Sequence, residues 1–350
     1  MWHVYDVTII GGCPAGLYSA FYSGLRKLKT KLIGSQSQLG GKVLLYPEKL
    51  IWDIGGHPPV LGEQFVTQLI EQAKTFDPTI LTDTKVDRIE RQGDVFIVHT
   101  ATGEKHYSKT VLLADGDGII NPQKLALEGA KKYEMSNLHY TVQSYKRFVN
   151  KDIIISGGGN AAIDWAVGLS PIAKSITVVY RKDTLLAHEV TIKEALDAGV
   201  HIECNTSITK LTANADKTAI QLVTCENAKT KQSYTRQIDE VIVSHGYNRE
   251  ASLAFDEAIV IPKKDDYYFE GKATGETAQP GIFAAGDILS FEGKINLLLG
   301  TFQDAANAVN SIKTYLELTA YRYGMVSSHN ELFFKEKNRS IIKKQLVQVN

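Results

Sequence analysis

The sequence predicts an α/β fold in two three-layer units, the first interrupted in the chain by the second. Three observations carry this reading. A short β-branched strand, Val4 to Ile10, runs into the glycine turn Gly11-Gly12-Cys13-Pro14-Ala15-Gly16 and then into a helix-forming stretch. The same order returns at Lys151, where a strand over Asp152 to Ser156 meets Gly157-Gly158-Gly159-Asn160-Ala161-Ala162. Past this second copy lies a third apolar strand, Gly281-Ile282-Phe283-Ala284-Ala285-Gly286-Asp287, which ends on an acid. Strand, tight turn and helix in this order are the unit of an open, mostly parallel sheet.

The elements follow in turn. Leu17 to Leu28 carries small and apolar residues on one side and reads as a helix. Lys31-Leu32-Ile33-Gly34 closes a β-α-β unit, and Thr79–Leu81, Val95–His99 and Val111–Ala114 read as further strands. In the second copy Ile163 to Leu169 is the helix and Ile176 to Tyr180 the closing strand, while a last helix is expected from Thr301 to Leu316. The segments Leu113–Gly118 and Ser244–Tyr247 read as glycine-bearing crossings. The expected domains are therefore 1–116 with 247–316, an inserted domain at 117–246, and a C-terminal extension at 317–350. Duplication of the unit makes two Rossmann-like nucleotide-binding folds the natural consequence.

Bulk properties narrow the partners. A chain of 350 residues, 43% hydrophobic and 22% charged, suits two globular domains. Lys plus Arg equals Asp plus Glu at 39 each, so there is no net field for nucleic acid or an anionic membrane. No apolar run is long enough to span a bilayer. Cys13, Cys204 and Cys225 form no Cys-x-x-Cys pair, which argues against a disulfide framework or a zinc site. The N-terminus leads straight into a strand, leaving no room for a signal peptide. A cytoplasmic protein with no metal, nucleic acid or membrane partner is expected.

The turns carry the chemistry. A helix N-terminus presents free amides and a partial positive charge, which suits a pyrophosphate. At the first turn Cys13 stands where the fingerprint wants its second glycine; it reads either as a small buried residue or as a thiol beside a cofactor. Gly34 stands where an acid often grips the adenosine ribose, so that contact comes from elsewhere or is absent. At the second turn the closing strand ends in Tyr180-Arg181-Lys182, and cations there suit the extra phosphate of NADP, although paired surface cations are often just solvated. Asp287 reads either as a ligand to a ribityl hydroxyl or as a cap for the following segment.

Together these residues resemble the thioredoxin-reductase-like flavoproteins, on Gly11–Gly16, Leu39-Gly40-Gly41, Gly157–Ala162 and Gly281–Asp287. Within that group the chain is similar to the ferredoxin/flavodoxin–NADP⁺ reductases of thioredoxin-reductase type. The marks are Leu45-Tyr46-Pro47-Glu48-Lys49, Asn137-Leu138-His139-Tyr140, Ala187-His188-Glu189, Ala284–Ile288 and Phe291-Glu292-Gly293-Lys294. The likeness covers nearly the whole chain except its last dozen residues. Thioredoxin reductase itself carries a Cys-x-x-Cys before its second glycine turn, whereas Tyr140-Thr141-Val142-Gln143-Ser144 here has no cysteine, so no dithiol relay operates.

The resemblance implies FAD on the first domain and NADP(H) on the second, with NADH as the alternative nucleotide. It assigns FAD to Gly11, Gly12, Cys13, Pro14, Ala15, Gly16, Ser35, Gln38, Leu39, Gly40, Gly41, Lys42, Val86, Gly118, Gly286 and Asp287. It assigns the pyridine nucleotide to Gly157, Gly159, Asn160, Ala161, Arg181 and Lys182. Tyr46 and, in the extension, His329 would stack on the two faces of the isoalloxazine, Asp53 would bond its pyrimidine side, and Gly300 and Thr301 would open a helix facing its N1–C2 carbonyl. Departures from the family stand at Cys13 (glycine), Lys42 (glutamine), Asp115 (in an apolar-small run) and Leu186 (a third cation), and the basic 335–344 tail runs past the usual end.

The implied activity is hydride transfer from NADPH to flavin N5, then single-electron release to ferredoxin or flavodoxin, in a homodimer whose domain angle changes about 116–118 and 244–246. Ring-positioning residues replace any acid, base or nucleophile. Two other readings stay open: a flavin reductase of quinones, ferric chelates or a low-molecular-weight disulfide, and a non-catalytic nucleotide-binding homologue.

Overall fold

The computed structural model describes residues 3–116, 120–249 and 253–324. Along the chain, β1 (Val4–Ile10), α1 (Pro14–Leu25) and β2 (Thr30–Ile33) form the opening unit, followed by α2 (Gly62–Ala73) and β3 (Thr79–Leu81). An antiparallel meander follows, made of β4 (Val86–Gln92), β5 (Val95–Thr100) and β6 (Lys105–Leu113). The second copy comprises β7 (Leu138–His139), β8 (Asp152–Ser156), α3 (Asn160–Leu169), β9 (Ser175–Tyr180), α4 (Glu189–Asp197) and β10 (His201–Cys204). The strands β11 (Thr206–Ala213), β12 (Ile220–Asn227) and β13 (Ser233–Gln237) precede β14 (Glu240–Val243). The chain ends its described part with β15 (Ala254–Phe255), β16 (Ile282–Ala284) and α5 (Leu298–Leu316).

Two compact units result. Of the described residues, the first holds 3–44, 50–116 and 253–324, and the second holds 45–49 and 120–249. The short segment Leu45–Lys49 thus joins the second unit although it lies early in the chain. The second unit differs from the expected 117–246 in running to 249 and in including 45–49.

The first unit is built on an eight-stranded sheet in the order β15-β4-β5-β6-β1-β2-β3, with β16 beside the C-terminal half of β6. Its parallel centre aligns Ile9 with Leu32 on one side and Leu112 on the other. Strands covered on both faces read as continuous apolar runs. Val7 and Ile9 pack toward Leu17, Ala305, Val309 and Ile312, whereas Ile10, Leu113 and Ile282 face Phe96, Val98 and Phe269. The second unit has a five-stranded parallel sheet, β7-β14-β8-β9-β10, and the three-stranded antiparallel sheet β11-β12-β13. Ile153 and Ile155 face Ile163, Ala166 and Trp165, while Ile154 and Val179 face Val223 and Cys225.

Several boundaries differ from expectation. Helix α1 starts three residues before Leu17 because Pro14 is well suited to a first helical position, where its missing N–H has no partner to lose. It stops before Leu28 because Lys27 adopts a left-handed φ of 57°. Helices α3 and α5 likewise begin three residues earlier than read, at Asn160 and Leu298. The strand expected to carry Asp287 ends at Ala284, and Asp287 lies in the single 3-10 turn Gly286–Ile288.

Candidate functional site

At the first turn, the glycines are fixed by close approach. A Cβ at Gly11, whose φ is +120°, would lie 2.2 Å from the carbonyl oxygen of Ala114, and one at Gly16 would lie 1.9 Å from that of Gly11. Backbone can pass backbone at these distances only without a side chain. The Leu39–Lys42 segment is brought to the same place: Gly40 N–H donates to the Gly12 carbonyl at 2.7 Å, and the Leu39 side chain fills the space a Gly12 Cβ would take. The Gly286–Asp287 turn arrives from the other side, since a Gly286 Cβ would meet Ala15 Cβ at 2.7 Å and Thr301 Cγ2 at 3.6 Å.

Asp287 carries an ion pair to Lys42 at 3.0 Å, with side chains 38% and 43% exposed. At that exposure the pair contributes at most about 1 kcal/mol and yields readily to a ligand. Both residues line an open cleft of about 500 Å³ with Lys264, Tyr268, Phe291 and Lys294. Behind it Lys294 donates to Asp304, a pair whose side chains are only 9% and 5% exposed. Burial raises the Asp304 carboxyl, while Lys294 and the Gly286 N–H both hold its charge. This buried pair, invisible to the sequence reading, ties α5 to the Asp287 turn.

Cys13 is the N-cap position of α1, and its Sγ–H donates to Ala114 O at 2.8 Å. Desolvation pushes the thiol up to about 11, with Asp287 and Asp115 adding smaller contributions. It is therefore a neutral, half-buried thiol at neutral pH. Asp115 follows Ala114 directly. Its Oδ1 is buried without a hydrogen-bond partner in the protein, an orphaned polar atom at the mouth of the turn.

The other residues assigned to the flavin are more dispersed. Ser35 and Gln38 lie exposed in the loop after β2, Asp53 is exposed, and Val86 opens β4. Gly300 and Thr301 lie in the first turn of α5. Gly118 and His329 fall outside the described residues.

In the second unit, a Cβ at Gly157 would meet Ser244 O at 2.3 Å and one at Gly158 would enter the Tyr180 ring at 2.4 Å. Gly159, the N-cap of α3, has nothing within 4 Å of its Cβ position, so the helix start opens onto free space. Asn160 Oδ1 accepts from His188 N–H at 3.0 Å, and Gly158 O from Leu186 N–H at 2.7 Å, closing the loop past the exposed Arg181 and Lys182 over the turn. Ala161 lies in the first turn of α3, and Leu186 is 64% exposed. His245, which sequence reading passed over as part of a crossing, pairs its Nε2 with Ser156 Oγ at 2.8 Å. Burial and then Arg181 lower its pKa.

Tyr46 lies in this unit, stacked on Trp165 with ring centroids 5.0 Å apart at 28° and hydrogen-bonded to Tyr247. Its segment is held by Lys49 to Asp164 at 2.7 Å and by Ser144 Oγ to Glu48 at 3.2 Å, with Tyr145 N–H also donating to Glu48. Among the described residues there is no cluster of metal-ligating side chains, and no helix is long and apolar enough to cross a membrane.

Two dinucleotide-type turns on parallel sheets, without a thiol pair, define an oxidoreductase of the two-nucleotide class. A family model described as pyridine nucleotide-disulphide oxidoreductase matches residues 5–311, and the chain belongs to that family. Within it the chain is 87% identical over 347 residues, 99% of each protein, to a ferredoxin--NADP reductase 3 of Lysinibacillus sphaericus (strain C3-41). It is 52% identical, over 98% of each, to a ferredoxin--NADP reductase 1 of Bacillus thuringiensis (strain Al Hakam), and so belongs with the ferredoxin--NADP reductases. Among solved structures, thioredoxin reductase of Lactococcus lactis (FR conformation) shares the fold at TM-score 0.71 and 23% identity, covering 89% of this chain and 99% of that one. The T. acidophilum thioredoxin reductase does so at 0.72 and 19%, covering 89% and 98%.

Proposed function

We propose that the chain is an FAD-dependent reductase that passes electrons between NADPH and ferredoxin or flavodoxin, as a homodimer in the cytoplasm. The observation that carries this reading is the pair of glycine turns in a chain whose three cysteines are all free, so electrons must leave by a route other than a dithiol. The free thiols also support a reducing compartment.

In the first unit, the α1 N-terminus and the glycine turn would hold the FAD pyrophosphate, with Asp287, freed from Lys42, turning to the ribityl chain. Bound FAD supplies the exchange between a two-electron donor and one-electron carriers. In the second unit, the open Gly159 N-cap would receive the nicotinamide dinucleotide's pyrophosphate, and Arg181 and Lys182 its 2′-phosphate. No side chain is required as nucleophile, and the Cys13 thiol, held neutral well above its ordinary range, is poorly suited to attack a disulfide. Leu186 leaves the phosphate subsite with two cations and narrows the preference over NADH.

The test is spectral, then kinetic. Purified protein should show flavin absorbance that bleaches anaerobically with NADPH, and steady-state rates should be higher with ferredoxin or flavodoxin than with quinones, ferric chelates or small disulfides. A protein that stays colourless with added FAD, or one that prefers a small acceptor, would refute the proposal.

A further inference from the structure

The first unit's sheet changes direction between β1 and β6: from β1 the chain steps through α1 to β2 on one side, while β6 flanks the other. In open α/β sheets the crevice at the C-terminal ends of two such strands receives the ligand. Asp115, two residues beyond Leu113 at the end of β6, stands in its wall. Its position is fixed by Ala114, whose N–H donates to Ile10 O at 2.7 Å and whose carbonyl accepts the Cys13 thiol. One carboxyl oxygen, Oδ1, is buried and bonded to nothing in the protein.

We propose that Asp115 binds the flavin dinucleotide as a neutral carboxylic acid, so that its proton is taken up when FAD binds and FAD loosens as the pH rises. This rests on FAD occupying the first glycine turn. The reasoning is electrostatic. A dinucleotide brings two phosphate charges to this crevice, and a carboxylate facing them without a partner is opposed by both repulsion and desolvation. A protonated carboxyl instead donates one hydrogen bond and satisfies the orphaned oxygen.

The groups facing Asp115 do not hold its charge strongly. The Cys13 thiol is neutral and Asp287 beyond it is paired with Lys42; among the described residues its own N–H and the Lys263 ammonium favour ionisation. Burial outweighs both the residue's own backbone N–H and Lys263, and pushes the carboxyl up to about 6 even without the phosphates. Phosphates raise it further. Above about pH 6 the flavin-free protein is then ionised while the loaded protein keeps its proton, and linkage requires affinity to fall up to about tenfold per pH unit.

The experiment uses the full chain stripped of flavin, with FAD affinity read by quenching of flavin fluorescence from about pH 5 to about pH 8.5. The wild type should weaken about tenfold per unit over part of that range, while Asp115→Asn, isosteric and unable to ionise, should be flat and bind more tightly than wild type at the alkaline end. Asp115→Ala should also be flat, which covers a misfolded asparagine variant. Infrared spectra of the loaded wild type at neutral pH should contain a protonated-carboxyl band that Asp115→Asn lacks. A flat wild type, or an unchanged slope in both variants, overturns the inference while leaving the flavin reading intact. Failure to bind FAD at any pH defeats the flavin reading as well.

Discussion

The two glycine turns repeat one another almost position by position. Gly11 and Gly157 each pass beneath a carbonyl, that of Ala114 in one unit and Ser244 in the other, at 2.2 and 2.3 Å from the would-be Cβ. Gly12 and Gly158 each abut a side chain, Leu39 and Tyr180. One step later the copies part. The helix N-cap is Cys13 in the first and open Gly159 in the second, and the residue after the covering carbonyl is Asp115 in the first and His245 in the second. The closing strands lead to Gly34 in one unit and to Arg181 in the other. Positions where backbone meets backbone admit only glycine, whereas the positions beside them differ, with Cys13 against Gly159, Asp115 against His245 and Gly34 against Arg181. The scaffold is shared, and the electrostatics are written separately on each copy.

This contrast can be broken by experiment. The largest effect is expected from the shared positions. Gly11→Ala should give protein without flavin absorbance, while Gly157→Ala should keep the flavin spectrum and lose roughly a hundredfold in NADP⁺ affinity, the scale of strain plus a steric clash. If both variants lose flavin, the two sites are not independent.

Next comes the phosphate subsite. Replacing Arg181 and Lys182 together by alanine should raise the KM for NADPH about ten- to a hundredfold, since hydrogen bonds to charged groups contribute about 1.5–3 kcal/mol each before solvent screening. The KM for NADH should hardly move, and equal losses for both nucleotides would show that these cations do not read the 2′-phosphate.

The smallest effect tests the divergent pair. His245 is lowered from its ordinary value of 6.5, so it is neutral at neutral pH and gains charge only below that value. A phosphate nearby favours the protonated form, so NADP⁺ should bind more tightly as the pH falls, by no more than about tenfold per unit. His245→Gln should abolish that gain and leave FAD affinity untouched; calorimetric titration with NADP⁺ reads both the slope and its loss.

What the sequence revealed follows the same division. The glycine turns were legible because steric exclusion leaves one residue type at fixed spacing. The parallel strands were legible because burial on both faces makes them unbroken apolar runs, as in Ile153-Ile154-Ile155. Strand β4 was missed because Asp87, Arg88, Glu90 and Arg91 hide its pairing with β5. Helix starts were read three residues late because Pro14 and Asn160 look like turn residues when their backbone partners are unknown. Asp115 stood out as an anomaly with no visible role, since a buried oxygen without a hydrogen-bond partner can be seen only in three dimensions. His245 gave no signal because Ser156, its partner, lies 89 residues away. Tyr46 could be named as an aromatic of interest, yet nothing in its neighbours in sequence announced Trp165.

The buried Lys294–Asp304 pair constrains how this chain can drift. Neither charge can be lost alone without stranding the other out of water, a penalty of about 3–5 kcal/mol, whereas exchanging both for matched apolar groups is often neutral. The two codons are therefore coupled: a lineage can leave this arrangement only by a double replacement or by crossing a poorly folding intermediate. That makes the pair a more durable mark of descent than the half-solvated Lys42–Asp287 contact at the surface of the same turn.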